Sequence, residues 1–227
     1  MKKNVIIVAG GQGTRMNASV PKQFMFINKK PILCYTIDKF RAYDTEINIV
    51  LVLPKADISY WDKLVKDYVI NLHKLIIIEG GKTRFESVKN GLLAIKDIDG
   101  SVAVHDGVRP FVSIRAIQES FDSSLKYGSG VLAVDVKDSI RHCTEKGNTA
   151  LVREEYKMIQ TPQTFNLKLL KEAYQIAYQI FFTDDASVYE HSGHKIYLVN
   201  GDYNNIKITT PEDLVFAEAI LNTENNR

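Results

Sequence analysis

At 227 residues, with 45% hydrophobic and 25% charged residues, the chain has the composition of a soluble globular protein and the length to bury one full core. A formal charge of +2, with Lys and Arg scattered rather than clustered, excludes a basic nucleic-acid or anionic-membrane binder. Two cysteines, Cys34 and Cys143, are too few for a disulfide framework or a metal quartet and imply a reducing cytoplasm.

The first element is a strand over 5–9, VIIVA, which breaks into GGQGTRM and then PKQ. The start Met1-Lys2-Lys3 resembles that of a signal peptide, but this apolar run is shorter than the roughly 7–15 residues of a signal core. No stretch approaches the ~20 apolar residues of a membrane span. Gly10, Gly11 and Gly13 permit positive φ and close backbone approach, so successive amides can converge on anionic oxygens, and Arg15 and Lys22 add full charges. The loop reads either as a polyphosphate cradle or as a tight corner. It is not a dinucleotide fingerprint, because Met16 stands three residues after Gly13. Gly81-Lys82-Thr83 is not a P-loop either, because the position five before Gly81 is Ile76.

A helix over 31–40 follows, with Pro31 in its first turn, where a missing N–H costs nothing. The apolar run 47–54 predicts a strand covered on both faces. Trp61, Leu64, Val65 and Tyr68 mark the next helix, 75–79 the next strand, and GGKTR opens a helix carrying Val88, Leu92 and Ile95. The strand 101–105 ends at Asp106. Strands alternating with helices imply parallel pairing through right-handed crossovers, with ligands at the carboxyl ends of the strands. The loops 10–22, 80–84 and 106–110 are therefore expected together.

After a strand over 130–136, residues 137–156 turn polar and lose apolar periodicity. This is an insertion, read as an arm folded into a β-hairpin around 145–148 that seeks a partner chain, or as a disordered flap. Thr161-Pro162-Gln163 reads as a turn. A helix with Leu169, Leu170, Ala173 and Tyr174, the segment FFTDDASV, a strand over 195–200, a short strand NNIKIT and a closing helix over 211–221 complete a single domain, 1–227.

Asp106, with Arg109 three residues on, suits either a carboxylate for magnesium carried by a nucleotide's phosphates or a loop cap paired with that arginine. Thr183 and Asp184 are equal candidates for a helix N-cap. Lys207 sits in an apolar stretch where a lysine is expected only if it meets an anion or solvent. His191 and His194 have no third ligand, so zinc is not expected, and His105 reads as a core histidine rather than a base. No Ser-His-Asp or Cys-His constellation stands out. An attacking phosphate would need none, being largely dianionic at neutral pH, but it would need Arg, Lys and Mg²⁺ to approach a triphosphate.

Taken together, AGGQGTRM, PKQF, GGKTRFESVKNGL, HDGVRPF, the arm, QTPQTF, TDDASV and NIKITTPEDL, in that order, resemble the sugar- and polyol-phosphate cytidylyltransferases, above all those acting on 2-C-methyl-D-erythritol 4-phosphate in non-mevalonate isoprenoid biosynthesis. The resemblance implies an α/β, Rossmann-like nucleotide-diphospho-sugar transferase fold, a mostly parallel twisted sheet flanked by helices with a protruding β-arm. It implies that Arg15 and Lys22 stabilise the pentacoordinate α-phosphate and that Asp106 holds Mg²⁺. Ala9, Gly10 and Gly11, with Gly81, Lys82 and Ser87, would enclose the cytidine of CTP. Arg153 and Lys207, helped by Arg109, Ser139, Thr161 and Thr183, would position the polyol phosphate. The arm would cross to a second subunit of a homodimer. AGG at 9–11 and HDGVRP, where the family often has AAG and HDAARP, also resemble ribitol-5-phosphate enzymes, and Ser139 replaces a usual threonine. TDDAS at 183–187 favours methylerythritol phosphate as acceptor. A non-catalytic CTP-binding module is the alternative of a different class.

Overall fold

In the computed structural model, which describes residues 1–10, 20–68 and 72–225, the first apolar run forms β1 (Lys3–Val8). A small ribbon of β2 (Phe26–Ile27) and β3 (Lys30–Pro31) leads into α1 (Ile32–Tyr43), with Pro31 at its N-cap rather than in its first turn. β4 (Asn48–Leu53), α2 (Lys55–Tyr68), β5 (Leu75–Glu79), α3 (Arg84–Ala94) and β6 (Ser101–Asp106) continue the alternation. Then come α4 (Ile114–Tyr127), β7 (Ser129–Asp135) and the hairpin of β8 (Arg141–Thr144) and β9 (Gly147–Ala150). The chain closes with β10 (Lys157–Asn166), α5 (Leu167–Ala173), α6 (Asp185–His191), β11 (Leu198–Asn200) and α7 (Pro211–Asn225).

Seven strands make one sheet in the order β11-β7-β10-β6-β1-β4-β5. Every neighbouring pair is parallel except those made by β10, which runs antiparallel to both β6 and β7. Strand alternation sorts the core into two layers. Val5, Ile7, Ile49, Leu51 and Ala103 face α1, α2 and α4, whereas Ile6, Val50, Val52, Val102 and Val104 face α3, α5 and α6. Gly91 lets α3 close on β1, since an added Cβ would stand 2.8 Å from Ile6 Cγ2. A third cluster, with Ile27, Phe111, Ile208 and Leu221, seats α7.

Three expectations are corrected. The segment around Thr161-Pro162-Gln163 is not a turn but the interior of β10, in the middle of the sheet. Its glutamines and threonines show no apolar pattern, yet they are buried because each is hydrogen-bonded. Thr164 Oγ1 lies 2.9 Å from Ser120 Oγ, Gln163 bonds Asp184 and the amide of Ala186, and Gln160 donates to the Asp202 carbonyl at 2.8 Å. Pro162, which has no N–H for the ladder, falls where the register with β7 shifts between Ile159 and Gln163. NNIKIT forms no strand: Ile208 N donates to the Val108 carbonyl at 3.0 Å and Ile208 is drawn into the α7 cluster instead. The strand expected over 195–200 shortens to β11, which pairs only with β7.

The arm does fold as a hairpin. Thr144 pairs with Gly147, leaving Glu145-Lys146 as a two-residue turn, and every residue of β8 and β9 is exposed. Cys34 is buried, which pushes its thiol up to about 12, and Cys143 is exposed on the arm; neither is in a disulfide.

Candidate active site

The register of β1 on β6 sets Val8 beside Asp106, so the first loop and the Asp106 loop leave the sheet at the same edge. Two backbone bonds tie the exits together: Ala9 N to Val52 O at 3.0 Å and Gly107 N to Val8 O at 2.9 Å. The loop before α3 is fixed by its own side chains. Thr83 caps the helix by accepting from Glu86 N at 3.1 Å, Ser87 Oγ accepts from Gly81 N at 3.1 Å, and the Glu86 carboxylate accepts from Lys82 N at 2.6 Å. Gly81-Lys82-Thr83 is thus a capped helix start and not a phosphate loop of the GKT type.

These loops form one cleft. Ala9, Gly10, Gly81, Lys82 and Ser87 line it together with Lys22, Asp106 and Lys207, as the sequence anticipates. Lys22 is held at the edge by a turn of 3-10 helix whose next residue, Gln23, is fully buried and donates to Asp57 Oδ2 at 2.9 Å. Gly11, Gly13 and Arg15 lie outside the described residues.

Asp106 is the hub. Its Oδ2 stands 3.2 Å from Arg109 Nε and 3.1 Å from Lys207 Nζ, and its Oδ1 stands 3.8 Å from Arg84 Nε. Burial alone would raise this carboxyl, but Arg84, Lys207 and Arg109 outweigh it and hold the group well below the usual carboxylate range. Asp106 therefore pairs with Arg109, as one reading of the sequence had it, and with two further cations. Among the described residues it is the one carboxylate lining the cleft, and no group of three or more His, Cys, Asp or Glu side chains is placed to hold a metal. A single carboxylate facing a cation-lined cleft fits Mg²⁺ that arrives with phosphate oxygens as its other ligands, and does not fit a metal caged by protein.

His105 is a structural neighbour and not a base. The amide of Asp106 donates to Thr161 Oγ1 at 3.1 Å, Thr161 Oγ1 donates to His105 Nδ1 at 3.1 Å, and His105 Nε2 donates to the Arg109 carbonyl at 3.0 Å. The fully buried ring is thereby satisfied as the neutral tautomer, and burial pushes its pKa down to about 4. A depressed folded pKa means that the unfolded chain binds the extra proton first. Stability from His105 is full above about pH 6.5 and is lost as pH falls toward about 4, a loss on the order of 3 kcal/mol. Thermal unfolding of wild type against His105→Gln should show this slope only in wild type; parallel curves from pH 7 to pH 4.5 would contradict it.

Thr161 and Arg109 stand behind Asp106 and support it rather than lining the cleft. Three other predicted positions are not brought there. Ser139 and Arg153 are exposed on and beside the arm, with Arg153 Nη1 donating to the Lys137 carbonyl at 2.7 Å, and Thr183 is exposed immediately before Asp184, which takes the N-cap of α6. His191 packs against Phe181 and Phe182. The residue that sequence reading passes over is Arg84, which lines the cleft and pairs with the fully buried Asp185 at 2.6 Å. Both stood inside the motifs GGKTR and TDDAS, but nothing in the sequence joins residues 101 positions apart.

A mostly parallel sheet whose strand ends carry a capped helix start and a cluster of cations around one carboxylate is the arrangement of a nucleotide-binding α/β protein. Family comparison narrows this: 2-C-methyl-D-erythritol 4-phosphate cytidylyltransferase, IspD, matches residues 4–223, and the chain belongs to that family of nucleotidyltransferases. It is 45% identical over 221 residues to the 2-C-methyl-D-erythritol 4-phosphate cytidylyltransferase of Bacteroides thetaiotaomicron, covering 97% of this chain and 100% of the relative. The enzyme of the same name from Phocaeicola vulgatus is 47% identical with the same coverage. Among solved structures, 4-diphosphocytidyl-2C-methyl-D-erythritol synthase from Anaerococcus prevotii superposes with a TM-score of 0.83 at 29% identity, covering 97% of this chain and 96% of that one. No helix among the described residues is long and apolar enough to cross a membrane.

Proposed function

We propose that the chain transfers the cytidylyl group of CTP to 2-C-methyl-D-erythritol 4-phosphate, releasing pyrophosphate and forming CDP-methylerythritol. The observation that carries this reading is the convergence of Lys22, Lys82, Arg84 and Lys207 on one cleft around Asp106, in a member of this family. Among the described residues lining the cleft there is neither His nor Cys, and the Ser87 hydroxyl is engaged with Gly81 N and the Thr83 carbonyl. The arrangement suits a reaction whose nucleophile is already charged. The acceptor phosphate attacks the α-phosphorus in line, pyrophosphate leaves from the opposite side, and no proton has to be removed. What the protein supplies is charge at fixed positions, which lowers the repulsion between two polyanions and stabilises the transition state.

In this proposal Lys22 and Arg15 face the triphosphate. Ala9, Gly10, Gly81, Lys82 and Ser87 enclose the base and ribose, with Gly11 and Gly13 in the same loop. Asp106 would hold Mg²⁺, which would neutralise part of the charge on the phosphates. Lys207 serves the acceptor, Arg109 and Thr161 act from behind Asp106, and Thr183, which does not line the cleft, is given no role in it. Ser139 and Arg153 would serve the cleft of a second subunit, and the arm would carry them there in a homodimer. Supporting this are Val152, Tyr156, Met158 and Ile159 beside the hairpin, exposed apolar side chains that a partner could cover. Sedimentation should give a dimer that dissociates when residues 139–151 are replaced by a short linker; an unchanged mass would remove this part of the proposal. Two unpaired cysteines suit a cytoplasmic enzyme.

Relatives named for methylerythritol phosphate favour that acceptor over ribitol 5-phosphate. A CTP-sensing module without chemistry does not call for so many cations on the phosphate side of a cleft. Stereochemistry tests the single displacement: CTP made chiral at a thio-substituted α-phosphate should give inverted product. Retention would mean a covalent enzyme intermediate and would overturn the mechanism.

A further inference from the structure

Behind the cleft lies a row of polar side chains drawn from four elements. Tyr174, just after α5, donates its hydroxyl to Asp185 Oδ1 at 2.6 Å; Asp185, the first residue of α6, accepts from Arg84 Nη2 on Oδ2 at 2.6 Å; and Arg84, the first residue of α3, points its Nε toward Asp106 Oδ1 at the end of β6. The two ends of the Arg84–Asp185 pair differ in exposure. The Asp185 side chain is fully buried and that of Arg84 is 30% exposed and lines the cleft, so the carboxylate is the anchor and the guanidinium is what a ligand meets.

The anchor is itself immobilised. Asp184 caps α6 through a reciprocal capping box with Ser187, and Gln163 of β10 clamps the same turn by donating to Asp184 Oδ2 at 2.9 Å and accepting from Ala186 N at 2.8 Å. Tyr174 is stacked on Phe85, the residue after Arg84, with ring centroids 4.7 Å apart. A buried carboxylate is costly unless paired, and replacing the pair by apolar residues is often neutral or better for stability. The placement of a charged pair here is therefore better explained by what it does to the cleft than by what it does for the fold.

We propose that Arg84 is a binding residue for the phosphate side of the nucleotide and that Asp185 is the positioning residue that holds it there, with the Tyr174 hydroxyl fixing the carboxylate. The proposal rests on the reading of the cleft as a CTP site and adds to it one ligand-facing cation and its support. Arginine rather than lysine is required, because only a planar fork can keep one edge on Asp185 while its other donors face Asp106 and the phosphates.

The test is a double-mutant cycle on the full-length protein, read as the dissociation constant for CTP with Mg²⁺ by calorimetry, with thermal unfolding of every variant alongside. Arg84→Lys and Asp185→Asn should each weaken CTP about tenfold, and the double variant should be no more than about twofold weaker than the weaker single variant. Tyr174→Phe should weaken CTP about two- to threefold in the wild-type background and have no effect in Arg84→Lys; should Asp185→Asn not fold, this second cycle carries the test. A merely structural Asp185 would lower the unfolding temperature without changing affinity in the folded protein. That result, unchanged affinity in Arg84→Lys, or losses that multiply in the double variant, would overturn the proposal. Wild-type protein that binds no CTP would instead overturn the reading of the cleft.

Discussion

Lys22→Ala is expected to lower kcat/KM by about 10²-fold or more while the protein stays folded, the loss that follows removal of one charge-stabilising donor from a transition state. Its backbone is set by neighbours that the substitution does not touch: Gln23 is tied to Asp57, and Phe24 packs on Tyr60 and Trp61 with centroids 5.0 and 6.3 Å away. The effect should fall on kcat more than on KM for CTP, because charge on the α-phosphate and its bridging oxygen grows in the transition state. Circular dichroism of the variant controls for folding. A folded Lys22→Ala enzyme within a few-fold of wild type would remove Lys22 from the transition state.

Asp106→Asn should produce a loss of similar size, about 10²-fold or more in kcat/KM, for a different reason. The substitution keeps the shape and removes the carboxylate that faces all three cations. Breaking a buried ion pair usually costs about 3–5 kcal/mol of stability. Here the cost should be smaller, since Arg84 keeps Asp185, Arg109 keeps the Asn205 carbonyl at 2.8 Å, and Lys207 is 42% exposed. Activity, then, is what suffers, together with a higher Mg²⁺ concentration for half-maximal rate. A folded variant with wild-type kcat/KM and an unchanged Mg²⁺ requirement would contradict the role given to this carboxylate.

The parts of the fold that were legible in the sequence are those in which burial is apolar. β1 and β4 carry continuous apolar runs and β6 a shorter one because helices cover both of their faces, and α3 announces itself through Thr83 and the spacing of Val88 and Leu92. β10 was not legible, because its buried residues Gln160, Thr161, Gln163 and Thr164 are stabilised by hydrogen bonds to partners between 21 and 56 positions away. The cleft follows the same division. Its glycines, Lys22 and Asp106 are marked by loops at strand ends and Lys207 by standing in an apolar stretch, whereas Asp185, beside the two cap candidates Thr183 and Asp184, carries no mark of its own until the structure shows that Asp184 caps and Asp185 turns inward to Arg84. The roles of Ser139 and Arg153 rest on the family resemblance and on the arm, since neither lines the cleft of its own chain.

Cytidylyl transfer to methylerythritol phosphate is read out by pyrophosphate release with two acceptors compared in parallel, 2-C-methyl-D-erythritol 4-phosphate and ribitol 5-phosphate, each with CTP and Mg²⁺, and with ATP and UTP as nucleotide controls. Rapid release is expected with CTP and methylerythritol phosphate and little with any other combination. Preference for ribitol phosphate, or CTP bound with no release on either acceptor, would contradict it.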